Sequence, residues 1–216
     1  MRRLPVFLIP LVSLVVGAPL SAAPTAPDPV ALGKIFETST KAEKNKDYAA
    51  AISSMKTYQQ RGGDPFIATL RSAWLHYQAG QYAEAAQAYH QAANLKPSSL
   101  NALLGSLNAA QAMLDIRNTA LAADAVLRVD PINYRALMAL GGLRYAQKEY
   151  DKAAVDFSRV LVNYPDDPDA LSGAAWSAFR AGDPATANTR FSLLLGINPD
   201  YPQAQEGYGL SARSGR

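Results

Sequence analysis

The chain has no cysteine, only two histidines and only two tryptophans among its 216 residues. Without thiols, neither a disulfide framework nor thiolate chemistry is open to it, and the fold must rest on its apolar core. His76 and His90 lack metal-ligand spacing, so they read as one packing residue and one exposed residue. No serine sits in a nucleophile elbow, and no glycine-rich loop follows a strand. No run of β-branched residues alternates with polar ones, which removes the β signal. The cluster Asp166, Asp167 and Asp169 lacks the oxygen and glycine spacing of a calcium loop and reads as a capped, solvated turn. Glu37 and Glu43 have no reason to share a site. The expectation is a chain that is no enzyme and holds no cofactor or metal.

A field of one sign is missing as well. The whole chain carries 21 basic and 18 acidic residues, a formal +3. Two of the basic residues, Arg2 and Arg3, precede an apolar run over Leu4–Val16 that Pro5 and Pro10 interrupt. With Ser21, Ala22 and Ala23 behind it, this reads as a signal peptide over residues 1–23, cleaved near Ala22 or Ala23. The run is too short for the ~20 residues of a membrane-spanning helix, so no stable membrane insertion is expected after its removal. Removing Arg2 and Arg3 leaves 19 basic residues against 18 acidic. Neither a nucleic-acid footprint nor a polybasic membrane patch remains. Residues 24–30, rich in proline, read as an extended leader. The expected location is the periplasm.

What is present is a rhythm. Pro97, Pro131, Pro165 and Pro199 follow one another at 34 residues. Twelve residues before them stand Ala85, Thr119, Ala153 and Ala187, and eight before them Tyr89, Ala123, Phe157 and Phe191. One period earlier Gly63 takes the proline's place, with Tyr48, Ala51 and Met55 in phase. A fixed period of this length marks stacked helix–turn–helix units, none able to bury its apolar face alone. Each unit reads as two apolar runs broken by a turn. Glycine at Gly80 and Gly182 suits the left-handed end of a first helix. Asp183-Pro184 and Asp167-Pro168 suit an N-cap followed by proline at the first helical position, and Ser98/Ser99 and Asn133 are similar starters. Unit three departs from the rest, with Leu114, Thr119 and Ala123 in place of glycine, alanine and an aromatic.

The best-preserved unit, Leu140-Gly141 through Tyr150, Ala153, Phe157 and Pro165, resembles the tetratricopeptide repeat (TPR). The resemblance covers roughly residues 32–201 in one register. It implies an all-α solenoid of about five units, at about 32–65, 66–99, 100–133, 134–167 and 168–201. Residues 202–212 then form a C-terminal capping helix, and the whole solenoid spans 31–216.

In such a stack the first helix of each pair lines the concave side. Twenty-three residues before each proline, or before Gly63, lie Thr40, Trp74, Asn108, Gly142 and Trp176. Twenty before lie Glu43, Tyr77, Gln111, Tyr145 and Phe179. Arg135 and Asp169 share the face, and Arg180 adjoins Phe179. Trp74, Tyr77, Asn108, Gln111, Arg135, Tyr145, Trp176, Phe179 and Arg180 are therefore the candidate partner-binding residues, since Trp, Tyr and Arg most often anchor interfaces. The terminal-carboxylate grip of some TPR modules is matched only by Asn108 and Arg135, with no groove lysine. The function expected is an exported scaffold holding a protein or extended peptide in its groove within a bacterial envelope complex. The alternative is a glycan-binding module in polysaccharide or cell-wall assembly.

Overall fold

The computed structural model describes residues 26–215, and the expected signal peptide lies outside the described residues. Eleven α-helices and no strand make up this part of the chain. They form consecutive pairs, beginning with α1 (Pro29–Lys44) and α2 (Tyr48–Gln60), then α3 (Pro65–Gln78) and α4 (Tyr82–Leu95). The third pair is α5 (Leu100–Ala112) and α6 (Ile116–Val129), the fourth α7 (Tyr134–Ala146) and α8 (Tyr150–Asn163). The fifth is α9 (Pro168–Ala181) and α10 (Pro184–Ile197), and α11 (Ala204–Ser214) ends the array alone. The leader is shorter than expected. Asp28 already caps α1, accepting the Val30 amide, and Pro29 is the first helical residue.

Local chemistry accounts for where the helices start and stop. Asp28, Asp47, Asp64, Ser99, Asp115, Asn133, Asp167 and Asp183 each accept a backbone amide of the first turn that would otherwise lack a partner. Each such cap is worth about 1 kcal/mol. Between the two helices of every unit the chain passes once through the left-handed region. The residues that do so are Lys46, Gly80, Leu114, Lys148 and Gly182, one repeat period apart. Only two are glycine, so three units carry the local cost of a side chain in that conformation.

Alanine makes the pairs close. Ala85, Ala153 and Ala187, at the same phase in their units, are fully buried. The aromatic phase couples each unit to the next. Tyr89 of α4 lies against Gly105 of α5, Phe157 of α8 against Gly173 of α9, and Phe191 of α10 against Gly207 of α11. A Cβ on any of these glycines would stand closer than 3.0 Å to the ring. Where the ring is missing, so is the glycine. Ala123 of α6 takes the aromatic's place, and Ala139 of α7 takes the glycine's, both in a cluster built on Leu107, Val126 and Leu140. Unit three keeps its helix pair and packs it with aliphatic side chains.

Every helix packs against its chain neighbours, and α3 also approaches α5, α7 approaches α9 and α9 approaches α11. The odd-numbered helices thus crowd together on one side of the stack, which makes it the inner, concave side. Among the described residues no helix is long and apolar enough to cross a membrane.

Candidate partner-binding face

The concave face is laid down by repeat phase. The candidate residues recur once per odd helix, 34 residues apart, with a second set one turn later; of these, Trp176 and Phe179 pack in part against the core of the fifth pair. The structure divides the predicted residues among three places along this face.

The first lies on α1 and α3. Trp74 is 42% exposed and stacks on Tyr77, with centroids 6.3 Å apart at an interplanar angle of 16°. Its Nε1 donates to Glu43 Oε1 at 2.8 Å, and Tyr77 leans on Tyr82 at 5.3 Å. Arg71, which sequence reasoning passed over, completes the arrangement. Its Nη2 pairs with Glu43 Oε2 at 2.6 Å and reaches Thr40 Oγ1 at 3.1 Å, while the guanidinium sits 4.7 Å from the centre of the Phe36 ring. The pair is mostly shielded from solvent, so both charges depend on each other and on these hydrogen bonds.

The second is polar. Arg135 donates to Asn108 Oδ1 at 2.6 Å, which ties α7 to α5 across the groove, and Gln111 projects to solvent nearby. Arg135 is exposed, so its guanidinium keeps donors free for a ligand.

The third lies where α7, α9 and α11 meet. Tyr145, Trp176 and Arg180 share a cavity of about 340 Å³ with Gly142, Phe157, Gly173, Gln203 and Glu206. Trp176 has a double allegiance. Its ring meets Phe191, fully buried, at 5.1 Å and Phe179 at 6.0 Å, both edge to face. It is half-buried and still walls the cavity. Tyr145 is held edge to face by Tyr150 at 5.4 Å. Asp169, on the same helix, is already engaged as acceptor from the Tyr201 hydroxyl at 2.7 Å. That bond and burial together push the Tyr201 hydroxyl above its ordinary pKa, burial being the larger cause.

Gln203 and Glu206, which come from the capping segment, were not foreseen as groove residues. Their signal was faint, since they lie beyond the last proline of the register. The two histidines make short-range contacts: His76 Nδ1 lies 2.7 Å from Gln81 Oε1, and His90, which lines a hollow among α4, α5 and α6, has its Nδ1 3.3 Å from Asn94. That hollow, larger at about 500 Å³, is lined mainly by small and aliphatic side chains such as Ala86, Leu103, Ala122 and Leu121. Among the described residues no group of acidic or histidine side chains could hold a metal ion.

Comparison with known proteins agrees with this architecture. The tetratricopeptide repeat family matches residues 40–99 and 107–168. No curated protein matches the chain. A tetratricopeptide repeat protein from Parabacteroides merdae superposes with a TM-score of 0.69 at 18% identity, over 86% of this chain and 73% of that one. MamA from Desulfovibrio magneticus gives 0.67 at 14% identity, over 82% and 99% of the two chains. YrrB, a TPR protein with an unusual peptide-binding site, gives 0.68 at 12% identity, over 85% of this chain and all of its own. At such identities the likeness speaks for the fold.

Proposed function

The chain belongs to the tetratricopeptide repeat family, and on that premise we propose that it is an exported scaffold holding an extended segment of a partner protein in its concave groove. The observation that carries this reading is the groove itself. Its two ends bear aromatic clusters, Trp74 with Tyr77 and Tyr145 with Trp176, and the polar pair Arg135–Asn108 lies between them. Aromatic anchors flanking hydrogen-bonding groups suit an extended peptide, whose side chains enter pockets while its backbone seeks donors and acceptors. The peptide-binding site ascribed to YrrB lends the reading support by analogy of fold alone.

Export and a place in a periplasmic envelope complex rest on the N-terminal sequence: the basic start, the apolar run Leu4–Val16 and the small residues Ser21, Ala22 and Ala23. N-terminal sequencing of protein recovered from the periplasm should begin after Ala22 or Ala23. Recovery only from the cytosol with Met1 retained refutes export.

The partner reading is tested by affinity capture from an envelope fraction, comparing the parent protein with the double variant Trp74→Ala, Gly142→Leu. Trp74 is exposed, and a side chain at Gly142 meets open space, so the helical circular dichroism should be unchanged while the specific partner is lost. Undiminished capture would sink the groove assignment. An envelope glycan is the alternative occupant, because the Tyr145 and Trp176 rings stand beside the hydrogen-bonding groups of Arg180, Gln203 and Glu206. A tryptophan fluorescence titration with envelope polysaccharide that stays flat excludes it.

A further inference from the structure

The two aromatic ends of the groove are the same place in the repeat, three periods apart, and the molecule fills one and leaves the other open. Thr40, Glu43, Arg71 and Trp74 at the first end correspond in phase to Gly142, Tyr145, Gly173 and Trp176 at the second. At the first end the guanidinium of Arg71 lies over the Phe36 ring. It donates to Ser39 at 3.4 Å through Nε, and to Thr40 and Glu43 through Nη2. At the second end the arginine is absent. Gly173 stands in its place because the Phe157 ring needs the room; a Cβ there would come within 2.7 Å of it. The hollow of about 340 Å³ lies at this position.

Gly142 sharpens the contrast. A glycine inside a helix costs about 1 kcal/mol relative to alanine, and the buried helical glycines Gly105, Gly141 and Gly207 repay that by receiving a ring. Gly142 is exposed, and, as at Gly33 and Gly196, a Cβ there would have no atom within 4 Å. Its bare backbone forms part of the cavity lining between Tyr145 and Trp176. The acid that Glu43 supplies at the first end is supplied at the second by Glu206 of α11. Among the described residues, neither Glu206 nor Arg180 nor Gln203 has a side-chain hydrogen bond or an ion pair.

We propose that the cavity walled by Tyr145 and Trp176 over Gly142, with Glu206 at its rim, is a receptor site for an arginine side chain of the bound peptide. The incoming guanidinium lies in the hollow beside Gly142, next to the space that the Phe157 ring takes up at Gly173. It meets Tyr145, Trp176 and Glu206 in place of the Phe36 ring, Ser39, Thr40 and Glu43 that hold Arg71. Ring faces attract its positive charge, and a planar fork suits the Glu206 carboxylate better than an ammonium does. Arg180, on the same cavity wall, carries a like charge. The guanidinium therefore needs the rings and Glu206 together, and an acidic neighbour in the peptide would meet Arg180. This inference rests on the peptide-binding reading of the groove.

The chain has only two tryptophans, so their indole N–H signals report the two ends separately. The probe is N-acetyl-arginine amide added to the isotope-labelled protein. The Trp176 indole signal should move and the Trp74 signal, locked to Glu43, should not. N-acetyl-citrulline amide, equal in shape and uncharged, should bind at least about tenfold more weakly. Glu206→Gln should weaken arginine by a similar factor, and Gly142→Leu should abolish the shift with the helical signal intact. A still Trp176 signal, equal shifts with citrulline, or indifference to Gly142→Leu overturns the proposal. So does a response to N-acetyl-glutamate amide or to a disaccharide in place of arginine, the latter assigning the cavity to a glycan. If partner capture is lost in the Trp74→Ala, Gly142→Leu double variant but the arginine probe is ignored, the groove stands as a peptide site and this inference alone fails.

Discussion

The pairing of Tyr89 with Gly105 can be broken and mended in a way that tests how one repeat grips the next. Tyr89 is 5% exposed and packs among Ala73, Ala85 and Ala109. A methyl group at Gly105 would force its ring to retreat by more than about 1 Å to regain an ordinary carbon–carbon contact of ~3.5–4.0 Å. Overpacking of this kind costs about 1–3 kcal/mol, against a gain of about 1 kcal/mol from replacing glycine in a helix. Gly105→Ala alone should therefore range from nearly neutral to about 2 kcal/mol destabilising. Tyr89→Ala alone should cost about 3–5 kcal/mol, as for other large buried aromatics. In that background the clash is gone, so Gly105→Ala should stabilise by about 1 kcal/mol. The sign inverts, and the coupling of the two sites is about 1–3 kcal/mol. The molecule already contains the mended pair, Ala123 with Ala139. The cycle is read by urea unfolding followed by circular dichroism. Slopes are compared across variants because repeat arrays need not unfold in one step. An equal effect of Gly105→Ala in both backgrounds refutes the account.

Three further outcomes follow from single sites. Asp156 is 1% exposed and ion-paired to Arg144, its burial pushing the carboxyl above the usual range while Arg144 pulls against that. Arg144→Met should cost about 3–5 kcal/mol by stranding the charge. Because the folded state then holds the proton more tightly than the unfolded one, part of the loss should return as pH falls through the folded-state pKa; thermal melts that fail to recover in acid refute this. Leu114, left-handed at φ 56° and 86% exposed, should accept glycine: relief of about 1–2 kcal/mol of strain outweighs or balances the entropic cost of about 0.5–1 kcal/mol. A lower melting temperature for Leu114→Gly would contradict the assignment. Burial pushes the Tyr89 and Tyr134 hydroxyls up to about 12, helped at Tyr134 by its bond to Asp167. Both stay neutral in the fold after free tyrosine ionises, so stability should fall as pH rises from about 10 to about 12; phenolate absorbance showing every tyrosine titrating at its ordinary value would refute it.

Much of the fold was legible because the repeat imposes the same local problem five times. The caps at Ser99, Asn133, Asp167 and Asp183 and the turns at Gly80 and Gly182 are short-range chemistry, readable from residue type and offset. The left-handed turns at Lys46, Leu114 and Lys148 were hidden, because a lysine or leucine gives no sign of the conformation its neighbours force on it. On the groove, phase alone brought Trp74 to Tyr77, and Tyr145 to Trp176. It missed Arg71, whose role depends on four partners from α1, and it missed Gln203 and Glu206, which follow the last proline of the register.

By itself, the 34-residue proline rhythm determined the helix pairs, their order and the side of each helix that faces inward, since these depend on periodicity along one chain. Tertiary structure alone decided what each inward residue does. Trp74 and Trp176 share one phase, yet Trp74 is exposed and bonded to Glu43, while Trp176 rests on Phe191. The reason is physical: the surroundings of a repeat position are built by neighbouring units, and those units differ. Arg71 fills the first end of the groove, whereas Phe157 requires Gly173 and leaves the second end open.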